Sequence, residues 1–405
     1  MKAMIIIGNS DNRRTNGLQA ARARLGLPPA FVLDYIDVLQ GKSSLRSLAE
    51  RLRQTTDEPP LLRIDAPGEH FEVERELIAL GASDADRPGL GDLDDRWLMT
   101  EGKAPFQPVS SRAARSMKEI KGKLYHPSQW FRGYCRLLSQ LEREAGQLWT
   151  EPCWMNAPED IAAMFDKRLT HRLLSSAALP VPRRLAAPEA LPDYDALREA
   201  MDSERVRRLF IKLATGSGAC GVIAYQVNPV TGAESAVTTI GVENYAAKPP
   251  LFYNVKKLVN YTEQRSIRQI VNWVLGHGAH VEQWIPKAAY QNRTFDIRQL
   301  VVSGKSCHSI ARASKTPITN LHLDSQRLSL GEVGLSEELQ ASVRQCAEQT
   351  LAVFPRSAVA GIDVLLSSGS YRPFVLDVNP FGDLLYDCYY EGSNPYEWEM
   401  KSCLI

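Results

Sequence analysis

Two short stretches of this chain hold the residues best suited to chemistry. In Gly361-Ile-Asp363-Val-Leu-Leu366 one carboxylate interrupts an apolar alternation, so Asp363 can point out of its strand. In Phe374-Val-Leu-Asp377-Val-Asn379, Asp377 and Asn379 stand two residues apart, and period-two geometry puts their side chains on one face. If these strands pair, two carboxylates and an amide oxygen converge. Such a set suits Mg²⁺, which takes a couple of carboxylates and completes its shell with water and phosphate oxygens. The plainer alternative is a pair of solvated residues on an edge strand, and apolar neighbours on both sides argue against it. The second stretch, RLFIKLATGSGACGVIAY, spans residues 208–225 and contains a literal G-x-G-x-x-G from Gly216 to Gly221. A dinucleotide turn would require these glycines to follow a strand and open a helix. The strand is there, as Leu209–Leu213, but Val222–Val227 reads as a second strand. The unit is a hairpin flap, with Lys212 inside its first strand. Exposed backbone N–H groups beside a lysine suit phosphate better than a nicotinamide cofactor. Alone, such a loop is commonly an ordinary hairpin.

The rest of the chain must position these groups. Its 405 residues suggest two or three domains. With 48 basic and 47 acidic side chains, the net charge of +1 argues against general nucleic-acid binding. No apolar run approaches the roughly 18 residues of a membrane span, and the short run Met4–Gly8 reads as a first strand rather than a signal peptide. The seven cysteines are scattered and form no C-x-x-C, which predicts reduced thiols and a cytoplasmic protein. Met4–Gly8, a helix over 17–25 and a strand over 31–39 predict an open α/β beginning. Residues 84–128 read as an excursion rich in Pro, Gly and charge, followed by a helix over 127–145. Further on, the pattern predicts helices at 167–176, 266–275 and 337–353, a strand at 280–285, and hairpins over 296–313 and 359–378. Arg13 and Arg14 fall on the loop after the first strand, a place where open α/β sheets meet ligands. They are candidates for an anionic substrate, with a solvated charge pair as the alternative.

The ordered series of motifs over 151–383 resembles the ATP-grasp superfamily, above all the branch that includes the ribosomal-protein glutamate ligases. In NAPEDIAAMFDKRLTHRLLSSAALPVP, Lys167 matches the first nucleotide-phosphate lysine of the family. Lys212 matches the second, and Gly216, Ser217, Gly218 and Gly221 match its phosphate flap. VEQWI resembles the hinge segment, where Glu282, Gln283 and the Trp284–Ile285 backbone would meet adenine. RTFDIRQLVVSGK carries Asp296 and Arg298 in a D-x-R pattern, with Asp296 a candidate on the substrate side. Arg312 and the run Thr319-Asn320-Leu-His322 match segments near the triphosphate, and Asp363, Asp377 and Asn379 match the metal hairpin. The family usually has Glu where this chain has Asp377, which is one methylene shorter.

The resemblance implies an ATP-grasp fold, two α+β lobes closing on ATP, preceded by an N-terminal open α/β domain. It divides the chain into that domain over 1–108, a helical connector over 109–150, a small lobe with the flap over 151–280, and a large lobe with the metal hairpin over 281–405. It implies ATP and Mg²⁺ as cofactors. The implied reaction joins a small-molecule, amino-acid or peptide carboxylate to an amine through an acyl phosphate, with Arg298 and Arg312 as catalytic residues. No nucleic-acid or membrane partner is expected, and a homo-oligomer is compatible with the reading. An ATP-grasp phosphotransferase and a nucleotide-binding protein without turnover are the alternatives.

Overall fold

The computed structural model describes residues 3–52, 58–85, 105–216, 218–320, 323, 325–382 and 385–404. Ser217, His322 and most of the excursion before residue 105 therefore lie outside the described residues. The first layer is a parallel sheet. β1 (Met4–Gly8) is followed by α1 (Arg13–Arg24), β2 (Phe31–Asp34), α2 (Tyr35–Leu39) and α3 (Leu45–Leu52). Then come β3 (Leu61–Ile64), α4 (Phe71–Leu80), α5 (Ser111–Arg115), α6 (Pro127–Leu148) and β4 (Cys153–Trp154). The strand order is β2-β1-β3-β4, all parallel. β1 and β3 are buried along their whole length, as near-continuous apolar strands covered on both faces must be.

Two expectations for this region are corrected. The strand over 31–39 stops at Asp34, whose side chain accepts from Ile36 N at 3.3 Å and starts a helix instead. The first helix begins at Arg13 rather than 17, because Asn12 caps it by accepting from Arg14 N at 2.8 Å. Arg13 and Arg14 thus belong to a helical turn, not to a loop.

The second layer carries the flap. α7 (Pro158–Phe165), α8 (Lys167–Ser176) and α9 (Tyr194–Ser203) lead into β5 (Arg208–Leu213), β6 (Val222–Val227), β7 (Glu234–Glu243) and β8 (Leu251–Tyr261). α10 (Gln264–Gly276) and β9 (Ala279–Gln283) complete it. The sheet is antiparallel, in the order β8-β7-β6-β5-β9, so β5 has the flap strand on one side and the hinge strand on the other.

The third layer holds β10 (Ala289–Tyr290), β11 (Arg293–Val302), β12 (Lys305–Ser314) and β13 (Gln326–Leu328). α11 (Glu337–Ala352), β14 (Val359–Leu366), β15 (Pro373–Asn379) and α12 (Pro395–Leu404) follow. Its antiparallel order is β13-β12-β11-β14-β15, and β14 is buried along its whole length. α11 packs the apolar face of Val343, Cys346, Ala347 and Leu351 onto that sheet. An N-terminal parallel sheet followed by two antiparallel α+β lobes is the layer arrangement expected from the sequence. Among the described residues no helix is long and apolar enough to cross a membrane, and all seven cysteines are free thiols.

One buried side chain fixes the third layer to the chain that precedes it. Asn156 Nδ2 donates to Val359 O at 2.7 Å and to Pro380 O, while its Oδ1 accepts from Ala358 N at 3.1 Å and Val359 N at 3.0 Å. It therefore holds the start of β14 and the end of β15 together. Asn156→Ala leaves several buried main-chain groups unpaired, at about 1–3 kcal/mol each. The expected result is a clear drop in the urea denaturation midpoint, and an unchanged midpoint would contradict the clamp.

Candidate functional site

The alternation of β14 and β15 has a definite outcome. Asp363 pairs in register with Asp377, and on the other side of β14 it pairs with Arg298 of β11. Arg298, Asp363 and Asp377 therefore form one row across three strands, on one face of the sheet. On β11, Asp296 lies two residues from Arg298 and stands opposite Arg312 of β12. The row and its neighbours line a cleft of about 830 Å³, counting its open mouth. Lys167, Lys212 and the flap line the same cleft.

Every charged group here has a counter-charge. Arg298 grips Asp363 with Nε and, at 3.1 Å, with a second guanidinium nitrogen. Arg312 bridges Asp296 at 2.8 Å and Asp363 at 3.0 Å. Lys167 reaches Asp377 at 3.1 Å, and Lys212 reaches Glu282 at 2.5 Å. Burial by itself would raise the pKa values of the Asp296, Asp363 and Glu282 carboxyls, but the cations prevail. Arg312 and Lys287 hold Asp296 well below the usual carboxylate range, and Arg298 and Arg312 lower Asp363. Lys212, with His280, brings Glu282 down to about 2. Burial lowers Lys287, against the pull of Asp296.

The flap is built by glycine sterics. A Cβ on Gly216 would sit 2.5 Å from Cys220 O, and one on Gly221, at φ +70°, would sit 2.6 Å from the Leu213 Cβ. Only glycine closes the hairpin so tightly. Lys167 follows Asp166, the side-chain cap of α8, and its Nζ donates to Gly216 O at 2.9 Å. One lysine thus touches both the flap and the hairpin of β14 and β15.

Gly218, Gln283, Ile285 and Asn320 also line the cleft, as does Asn379. Gly221 and Trp284 do not. The Trp284 indole packs on Phe210 instead, at 5.1 Å between ring centroids. Arg13 is exposed on α1, and Arg14 donates to Phe381 O and Gly382 O at 3.4 Å each, away from the cleft lining. Sequence reasoning missed Lys287, a buried cleft residue that donates to Asp296 at 2.9 Å and to Thr319. Its only signal was a lone lysine after Trp284-Ile-Pro286, which is too little to single it out. The other apolar walls, Phe210, Val222, Ile318, Leu365 and Leu376, were also not anticipated.

Among the described residues no three His, Cys, Asp or Glu side chains group as a ready metal site. The hairpin offers two carboxylates and an amide instead. Asn379 Nδ2 is committed to Gly361 O at 3.0 Å, so its side-chain oxygen is the atom left for a cation. This donor set fits Mg²⁺ in a site that also receives phosphate oxygens.

Fold and cleft together define a two-lobed site that can take an anionic ligand and a hard cation. No family model and no curated protein matches the chain. Solved structures do resemble it at low identity. The ATP-grasp ligase PsnB complexed with a minimal precursor is 11% identical, with a TM-score of 0.45, covering 95% of this chain and 92% of that one. D-alanine–D-alanine ligase from Bacillus anthracis complexed with ATP is 11% identical, with a TM-score of 0.45, covering 94% and 86%. The D-cycloserine synthetase DcsG is 11% identical, with a TM-score of 0.49, covering 94% and 92%.

The Glu282 ion pair has a pH signature. Its pKa is about 2 when folded, against an ordinary value of 4.5. Its stabilisation is therefore complete above that ordinary value and disappears as pH falls through about 2. Glu282→Gln is expected to cost on the order of 3 kcal/mol at neutral pH and almost nothing near the acid limit. Urea midpoints of both proteins across pH would converge at low pH, and parallel curves would contradict the pairing.

Proposed function

We propose that this chain is an ATP-dependent ligase that joins a carboxylate to an amine through an acyl phosphate, releasing ADP and phosphate. One observation carries the reading: the row Arg298–Asp363–Asp377 faces the two lysines and the glycine flap across a single cleft. The carboxylate belongs to a small molecule, an amino acid or a peptide. The order of motifs, with Asp296 and Arg298 in D-x-R, favours the branch that includes the ribosomal-protein glutamate ligases.

The physical problem is to bring two anions together, a carboxylate and a triphosphate. Lys167 and Lys212 would bind phosphate oxygens, Lys167 by exchanging its Asp377 contact for the ligand and Lys212 while it keeps Glu282. The apolar walls, Phe210, Val222, Ile285 and Leu376 among them, suit a flat purine ring. Asp363, Asp377 and Asn379 would hold Mg²⁺, which supplies positive charge to phosphate oxygens when bound. Arg298 has a rigid planar fork suited to a carboxylate or to the oxyanion that forms when the amine attacks. Arg312 stands beside it and holds Asp296 and Asp363 in place. The flap around Gly218 would exclude the water that destroys an acyl phosphate.

Calorimetry of the full chain with AMPPNP, with and without Mg²⁺, tests the nucleotide step. Binding on the order of micromolar that requires Mg²⁺ is expected, with losses of about tenfold or more in Lys212→Ala and Asp363→Asn. No binding by folded wild-type protein would sink the reading. The chemistry is tested by screening carboxylates for ADP release and then adding hydroxylamine. An acyl phosphate yields a hydroxamate, whereas a phosphotransferase yields a stable phosphorylated product and no hydroxamate.

A further inference from the structure

We propose that Glu282 and His280 act as a buried anchor that aims Lys212 at the phosphates, so that Glu282 serves the lysine and not the adenine ring. The inference rests on the nucleotide-binding reading above and deepens it. β9 lies beside β5 with Lys212 opposite His280 and Phe210 opposite Glu282, so these four side chains share one face. Glu282 is only 2% exposed, and both its oxygens are engaged. One binds Lys212 Nζ at 2.5 Å and the other meets His280 Nε2 at 2.9 Å.

An ammonium has three N–H donors. Lys212 directs one at Glu282 and one at Leu376 O, at 3.2 Å. Two fixed bonds set the direction of the third. Leu376 precedes Asp377, so the remaining N–H is oriented relative to the hairpin of β14 and β15.

His280 completes the anchor. In the neutral ring, Nε2 carries the proton that it donates to Glu282, and Nδ1 is then a bare acceptor. Nδ1 is buried and has no partner among the described residues. His171, whose ring lies 4.8 Å away, is committed to Pro182 O at 2.8 Å. A small cavity of about 20 Å³ is lined by His280, Glu282, Thr170, Lys167 and Asp377. It exceeds the roughly 10–15 Å³ that one water needs, and a water there supplies the donor that Nδ1 lacks. Lys167 lines this cavity directly, and Lys212 is tied to it through Glu282.

The test compares two probes on the full chain with Mg²⁺, AMPPNP and adenosine, using calorimetry and thermal melts on each variant. Glu282→Gln and His280→Leu are expected to weaken AMPPNP about tenfold or more and to leave adenosine binding unchanged. His280→Gln, whose amide can still donate to Glu282, should recover most of the loss. A parallel fall in adenosine affinity in Glu282→Gln would assign that residue to adenine and overturn the anchor. So would unchanged AMPPNP affinity in His280→Leu. If Glu282→Gln does not fold, Lys212→Met and Lys212→Met/Glu282→Gln decide instead. An anchor that acts only through Lys212 makes the second substitution silent, and a further loss overturns it. Wild-type protein that binds neither probe would overturn the nucleotide reading itself, and the anchor with it.

Discussion

Everything in this cleft depends on the pairing of Asp363 with Arg298 and Arg312. In the proposed reading this carboxylate faces a cation and phosphates, and for that it has to be kept ionised in a buried place. Burial works against that, since an isolated buried charge neutralises rather than persists. Two guanidinium groups, one from each of β11 and β12, reverse the balance. The same pairing prevents the arginines from being buried and unpaired. The price is that the resting site is already satisfied, and any ligand must exchange partners with it.

That exchange explains why the backbone around the site is so firmly held. Ligand affinity gained by swapping one partner for another depends on groups staying in place while the swap occurs. The cross-strand register fixes the row of β11, β14 and β15, and Asn156 fixes the ends of that hairpin from outside the sheet. Lys167 links the two sides of the cleft, contacting both the flap carbonyl of Gly216 and the hairpin carboxylate of Asp377.

How much of this the chain disclosed depended on local periodicity. Asp363, Asp377 and Asn379 were legible because a polar residue in an alternating apolar strand can face only one way. Lys212 was legible because a charge between Ile211 and Leu213 needs a partner, although the identity of that partner was not. β7 and β8 went unread. Their pairing jumps from Thr238–Val259 to Ile240–Asn254, so residues 255–258 bulge against a single partner and the alternation breaks. Arg13 and Arg14 were read as loop residues because the capping role of Asn12 was not weighed. Lys287 has no periodic context at all, and only the folding of residue 296 against it reveals its place.

The near balance of charge has a kinetic consequence. Among the described residues the cleft is lined by the cations Lys167, Lys212, Lys287, Arg298 and Arg312 and by the carboxylates Glu282, Asp296, Asp363 and Asp377. The excess is a single positive charge, on a chain whose net charge is also +1. Such a surface projects little field beyond the Debye length of about 8–10 Å at physiological salt. An anionic ligand is not drawn in from a distance as it would be by a strongly basic funnel. Capture then depends on encounter and rearrangement at contact range, and its rate is nearly indifferent to ionic strength.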